Sequence, residues 1–185
     1  MTLHADTVRT LEAWTAPDAE QELLRRTFLD VLVAHDDAVW RSCEPDHVTA
    51  SALVVDPSGD RACLVLHAKA GLWLQSGGHL EHGDATLAGA ALREAREETG
   101  IAELTIDPVP VRVGHHDVPF CGSGGVRHLD VKFVAVAAEG AVVTRSDESD
   151  DVAWFDVAAP PEPTDDEVRA LIVAASSRLR GSHAP

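Results

Sequence analysis

The sequence predicts an α/β sandwich preceded by a helical N-terminal arm, and three observations carry that expectation. Apolar runs of strand character lie on both sides of one strong helix near the middle of the chain. A second helix follows a Pro-rich turn close to the C-terminus, which leaves a sheet to pack between helices. The first 44 residues space their apolar positions as a helix does. We therefore divide the chain into a helical extension, residues 1–44, and an α/β domain, residues 45–185.

Asp18 is placed to cap a helix in which Leu23, Leu24, Thr27, Phe28, Val31 and Leu32 recur at helical spacing. His35-Asp36-Asp37 interrupts it, and Glu44-Pro45-Asp46 marks the boundary. Residues 48–55 read as a strand closed by the turn Asp56-Pro57-Ser58-Gly59, and residues 62–67 as a second. Leu72-Trp73-Leu74 leads to the glycine pair Gly77-Gly78. The central helix runs from about 85 to 99 and ends at Gly100, the expected stop residue. Residues 105–113 and 129–137 read as strands joined by a loop holding Gly114 and the glycines at 122, 124 and 125. Residues 152–155 read as a short strand, and 165–179 as the final helix.

Composition narrows the function. Fifteen Lys and Arg face 31 Asp and Glu, a formal net charge of -16. Such a body repels a phosphate backbone, so a general nucleic-acid binder is disfavoured. An anionic substrate then needs a local reversal of the field, which a divalent cation supplies. Cys43, Cys63 and Cys121 are odd in number and widely spaced, unlike a secreted disulfide framework, so a cytoplasmic location is expected. The first residues lack the apolar core of a signal peptide, and no apolar run is long enough to span a membrane.

The chemistry concentrates in GGHLEHGDATLAGAALREAREETGI, residues 77–101. On a helical wheel, Ala88, Ala91, Leu92 and Ala95 share the arc that faces the core. Glu94, Glu97 and Glu98 fall together on the adjoining arc. Like charges at this spacing cost roughly 0.2–0.5 kcal/mol per pair, which Arg93 and Arg96 offset in part, Arg93 through Glu97. An ordinary acidic face would oppose the apolar stripe, whereas these glutamates border it. Clustered oxygen ligands at a core edge suit a hard cation such as Mg²⁺.

This segment resembles the Nudix box, G-x5-E-x7-R-E-U-x-E-E-x-G-U, where U is aliphatic. Gly78 fits the opening glycine, and Arg93-Glu94-Ala95-Arg96-Glu97-Glu98-Thr99-Gly100-Ile101 fits the C-terminal half. A chance match to its five fixed polar or Gly positions is on the order of one in a million per start site. Two departures stand out: Asp84 replaces the first box glutamate, and the next spacer has eight residues instead of seven. Asp84 is read foremost as a helix cap. The chain further resembles a bacterial Nudix subgroup with an N-terminal extension, through Trp73-Leu74-Gln75-Ser76-Gly77-Gly78-His79 and the His128, Asp130 and Phe133 element.

The resemblance implies a Nudix-type α/β/α sandwich with a mixed sheet. It implies a Mg²⁺- or Mn²⁺-dependent hydrolase that cleaves a diphosphate linkage, typically in a nucleoside diphosphate joined to another moiety X. Glu94, Glu97 and Glu98 would ligate the metal, and Arg93 would orient a ligating glutamate. The general base would be Glu97 or Glu98 in the box, or Glu148 in the loop before Trp154. Gly77 and Gly78 would allow close backbone approach, with His79, Arg127, His128 and Lys132 as further substrate-binding candidates. His128, Asp130 and Lys132 alternate along a strand, so they share one face and read as a pocket wall. A zinc reading of His115, His116, Asp117, Cys121, His128 and Asp130 is weaker, because the spacing matches no standard structural pattern. Trp14, Trp40 and Phe120 are stacking candidates, Trp73 and Trp154 core, and His67, Lys69 and His82 ambiguous.

The rivals are an isopentenyl-diphosphate-isomerase-like enzyme on the same fold, which needs a catalytic cysteine, and a non-catalytic ligand-sensing module. The complete set of Glu94, Glu97 and Glu98 favours hydrolysis over both. A small-molecule diphosphate is the expected partner. Oligomeric state stays open, with a homodimer one outcome. The extension has an apolar stripe that must be buried on the active site, the sheet or another copy.

Overall fold

A computed structural model describes residues 1–44, 46–118, 125–147 and 149–182. Two helices, α1 (Leu3–Ala13) and α2 (Ala19–Ala34), precede the first strand. The Asp18 side chain caps α2 as expected, accepting from the Gln21 N–H at 2.8 Å. The strands are β1 (Asp46–Val55), β2 (Arg61–His67), β3 (Leu72–Leu74), β4 (Ser76–His79), β5 (Leu104–Ile106), β6 (Arg112–Val118), β7 (Val126–Ala137) and β8 (Ser149–Asp156). Helix α3 (Leu87–Thr99) separates β4 from β5, and α4 (Asp166–Ser182) follows β8.

The sheet is mixed. Its centre is the parallel pair of β1 and β7, in register from Asp46↔Arg127 to Val55↔Val136. The other strand-to-strand pairings are antiparallel, β1 with β2 and β4, β2 with β3 and β8, and β7 with β5 and β6, and an isolated parallel bridge joins Trp73 to Thr164.

Period-two alternation gives the sheet two apolar faces. On one, Val48, Ala50, Ala52 and Val54 of β1 and Leu129, Val131 and Phe133 of β7 pack with Ala91 and Ala95 of α3. Small side chains on α3 let its backbone sit close to the strands, as the wheel predicts. The same core takes in Leu11 of α1 and Phe28 and Leu32 of α2, each fully buried and worth roughly 1.5–3 kcal/mol. On the opposite face, Leu53, Val55 and Val134 meet Val168, Leu171 and Ile172 of α4. The result is the expected α/β/α sandwich.

The extension is held by polar contacts as well as packing. The buried Gln21 side chain donates to Val113 O at 3.0 Å and accepts from Val113 N–H at 2.8 Å, so it joins α2 to β6. The buried Asp6 carboxylate accepts from Leu87 N–H at 2.8 Å, which satisfies an open donor at the start of α3.

Three expectations need correction. Residues 105–113 are two strands, not one: the Asp107 carboxylate accepts from Val109 N–H in a turn, and Pro108 has no N–H to give a ladder. Gly114 lies within β6 opposite Asp130 rather than in a loop. The central helix starts at Leu87, and its cap is Thr86, whose hydroxyl accepts from Gly89 N–H at 3.0 Å, so Asp84 is not the cap. Gly100 ends it with φ 69°, in the left-handed region that favours glycine.

Candidate active site

Strand β4 brings Gly77 and Gly78 between β1 and the acidic flank of α3, with Ser51↔Gly77 and Ala50↔Gly78 in register. A Cβ at Gly77 would collide with Ser51 Cβ. At Gly78 it would lie 2.6 Å from Glu94 Oε1. Gly77 therefore excludes a side chain, while at Gly78 a side chain would displace the Glu94 carboxylate. The backbone approach is to Ser51 and the box carboxylates, and Gly77 N–H donates to Glu98 Oε2 at 3.0 Å.

Glu94, Glu97 and Glu98 converge as the wheel predicts. With Ser146 they line one cavity of about 240 Å³. Arg93 binds this cluster to its surroundings. Its Nη1 donates to Glu94 Oε1 at 2.9 Å and to Glu97 Oε2 at 3.1 Å. Its Nε and Nη2 fork onto Asp84 at 3.1 and 3.0 Å, and Nη2 also donates to the His79 carbonyl at 3.0 Å. Hydrogen bonds to Asp84 above all hold the guanidinium well above its ordinary pKa. Thus Asp84 anchors the arginine of the box. Hard oxygen donors around one cavity, with Glu98 and Glu94 close against the glycine pair of β4, fit a divalent cation.

The row His128, Asp130 and Lys132 shares one face, as expected, and continues the α4 side of the sheet. The parallel register sets it beside His47, Thr49 and Ser51. It is buried rather than an open wall, with Asp130 and Lys132 paired to each other and His128 Nε2 without a hydrogen-bond partner among the described residues. Asp130 Oδ2 accepts from Ser51 Oγ at 2.7 Å, Lys132 Nζ at 2.9 Å and Gln75 Nε2 at 3.4 Å. Burial pushes the Asp130 carboxyl up, but the Lys132 ammonium and these hydrogen bonds outweigh it and hold the pKa below its ordinary value. Lys132 also lies 3.8 Å from Glu167 of α4.

Beyond this network the rings of His47, His79 and His128 meet. Their centroids are 4.7–5.1 Å apart. Burial, then repulsion among the rings, lowers His128 to about 3 and His79 to about 4. Burial lowers His47 as well.

Several candidates sit elsewhere. Arg127 forms an ion pair with Asp46, its neighbour in the parallel register, at 2.5 Å. Trp40 stacks on His82 at 4.2 Å, Trp73 meets Phe155 edge-on at 4.7 Å, and Trp154 Nε1 donates to Ala141 O at 3.3 Å. Trp14 is buried in the core of the extension. His67 Nδ1 accepts from Lys69 and Ala70 N–H groups, a turn role. Glu148, Phe120 and Cys121 lie outside the described residues.

Sequence reasoning missed His47, Ser51, Gln75, Ser146 and Asp6. One signal for the first two was present: polar residues alternate in 47-49-51 as they do in 128-130-132. Only parallel pairing of the two strands gives that match a meaning.

Comparison with known proteins bears on the fold and the family. A model of the NUDIX domain matches residues 45–175. Among solved structures, a Caenorhabditis elegans Ap4A hydrolase in a binary complex is similar at TM-score 0.58 and 20% identity, over 72% of this chain and 98% of that one. A NUDIX-family hydrolase from Clostridium perfringens gives TM-score 0.57 and 21% identity, over 74% and 98%. The NUDIX domain of Shewanella oneidensis NrtR, complexed with ADP ribose, gives 0.53 and 20%, over 81% and 97%. No curated protein matches the sequence.

Proposed function

Because the chain belongs to the NUDIX domain family, we propose that it is a pyrophosphohydrolase dependent on Mg²⁺ or Mn²⁺. Its substrate is a diphosphate, in the first instance a nucleoside diphosphate linked to another moiety. The observation that carries this reading is the convergence of Glu94, Glu97 and Glu98 on one cavity, with Arg93 tied to two of them. The nucleotide class draws support from a fold shared with an Ap4A hydrolase and with a domain bound to ADP ribose.

In this reading Glu94, Glu97 and Glu98 hold the cation. When bound, it neutralises charge on the diphosphate and activates the attacking water. Arg93 fixes the orientation of Glu94 and Glu97, and Asp84 fixes Arg93. The Gly77 N–H orients Glu98. Glu97, Glu98 or Glu148 accepts the proton of the attacking water. Asp130 with Lys132, and Arg127 with Asp46, are held in ion pairs, so their part in substrate binding is to shape the sheet face. Residues 1–44 act as an extension that braces the catalytic domain of residues 45–185. A cytoplasmic home fits the free, buried thiols of Cys43 and Cys63.

The isomerase reading draws no support from these two thiols. Burial pushes Cys63 up to about 12 and, with Asp37, Cys43 up to about 11. Neither suits proton transfer near neutral pH.

The test is product release from a panel of diphosphate compounds, with Mg²⁺ and with Mn²⁺, and Glu97→Gln as the blank. Metal-dependent release of monophosphate products that disappears in Glu97→Gln supports the hydrolase. Undiminished turnover in Glu97→Gln removes the carboxylate site from the mechanism.

A further inference from the structure

We propose that His47, His79 and His128 form a transition-metal site, suited to Zn²⁺, where β1, β4 and β7 meet. It is separate from the carboxylate cavity and does not rest on the proposed hydrolase activity. Four observations carry it.

The first is convergence. One ring nitrogen from each histidine lies within 4.8 Å of the other two. His47 faces His128 across the parallel register, and His79 pairs with Thr49 two residues along β1. Three strands thus deliver three imidazoles to one point.

The second is spacing. His47 Nε2 and His79 Nε2 are 3.1 Å apart. Two imidazole nitrogens on one tetrahedral Zn²⁺, each bonded at about 2.0–2.1 Å, stand roughly 3.3 Å apart. The His128 nitrogen lies within 4.8 Å of both, so its ring must close in to join the same ion.

The third is the tautomer. His47 Nδ1 lies 3.1 Å from the Cys43 carbonyl, which only accepts, so Nδ1 carries the hydrogen. The lone pair is therefore on Nε2, where it accepts from His79 Nε2–H, and a bound ion would take the place of that hydrogen, with His79 keeping its proton on Nδ1 instead. A ligating histidine whose other nitrogen donates to a carbonyl is the usual support around a metal.

The fourth is an orphan. His128 Nε2 is buried without a hydrogen-bond partner among the described residues. A buried polar atom of this kind carries a free-energy cost that a ligand relieves.

Imidazole donors favour Zn²⁺ over Mg²⁺, while the carboxylates have the opposite preference, so the two sites would sort their ions. The sites are also mechanically linked. The His79 carbonyl accepts from Arg93, so an ion on the His79 ring stiffens the strand that supports the box. The zinc reading of the sequence joins His128 to His115, His116, Asp117, Cys121 and Asp130. The strand pairing selects His47 and His79 instead.

The test uses metal-stripped protein with excess Mg²⁺ to occupy the carboxylates. Co²⁺ is titrated and visible absorption recorded, then Zn²⁺ is added in competition. The expected result is one Co²⁺ per chain with the strong visible bands of a four-coordinate imidazole site, displaced by Zn²⁺ and retained in Glu97→Gln. His79→Gln and His128→Gln should each weaken Zn²⁺ binding on the order of 100-fold. His79 is half-buried at a strand end, so His79→Gln decides the matter if His128→Gln fails to fold. No saturable band, unchanged affinity in His79→Gln, or loss of the band in Glu97→Gln would overturn the proposal.

Discussion

Arg93 grips Asp84 at two points, Nε to Oδ1 at 3.1 Å and Nη2 to Oδ2 at 3.0 Å. The Asp84 side chain is only 6% exposed. A charge-assisted fork of this kind fixes the plane of the guanidinium, and so the glutamates bonded to it. Asp84→Ala should therefore lower kcat/KM roughly 10–100-fold. Thr86→Ala, which removes the actual helix cap, should cost about 1 kcal/mol of stability and leave activity intact. Steady-state kinetics and urea unfolding on the two variants separate the roles, and equal kinetics would remove Asp84 from the site.

Asp6 reaches across 81 residues to the first N–H of α3. Asp6→Ala should destabilise the protein by about 1–2 kcal/mol, the range for a lost helix-capping acceptor. Chemical denaturation should show a single transition shifted to lower denaturant. An unshifted midpoint would mean the extension does not brace this helix.

The histidine cluster makes the metal-free protein sensitive to acid. His79 and His128 have folded pKa values of about 4 and 3, against 6.5 unperturbed. The unfolded chain binds these protons first, so the contribution is complete above the unfolded pKa and declines as pH falls below it. Stability should drop from about pH 6.5 toward pH 4, in the interval between the unfolded and folded values. His79→Gln should flatten that slope. A parallel pH profile in wild type and variant would contradict it.

The thiol of Cys63, fully buried in β2 and pushed up to about 12, should resist alkylation in the native state. In a Cys121→Ser background, the reagent-accessible count at neutral pH should be near zero and rise on unfolding. Rapid native labelling of Cys63 would contradict its placement.

Much of the box was legible because its signals are short-range. The spacing of Glu94, Glu97 and Glu98 fixes their common direction once a helix forms, and Gly100 ends that helix within the same turn. Asp18 capped its helix as read, since a cap needs only the next three residues. The misreadings occurred where local signals competed. Asp84 and Thr86 are both good caps, and Arg93, nine residues along, claimed Asp84. Gly114 looked like a loop residue, yet β7 needed a partner opposite Asp130.

The sequence by itself determined the helix, the direction of its carboxylates and the family resemblance, because periodicity and spacing act within a few turns of chain. Tertiary structure decided what those residues touch. The parallel register of β1 with β7 set His47 beside His128, and β4 added His79. Antiparallel pairing of the same strand with β1 put Gly77 and Gly78 against Ser51 and Glu94. Such pairings join residues up to 81 positions apart. No local pattern specifies them, because they are chosen by how two apolar sheet faces bury themselves between helices.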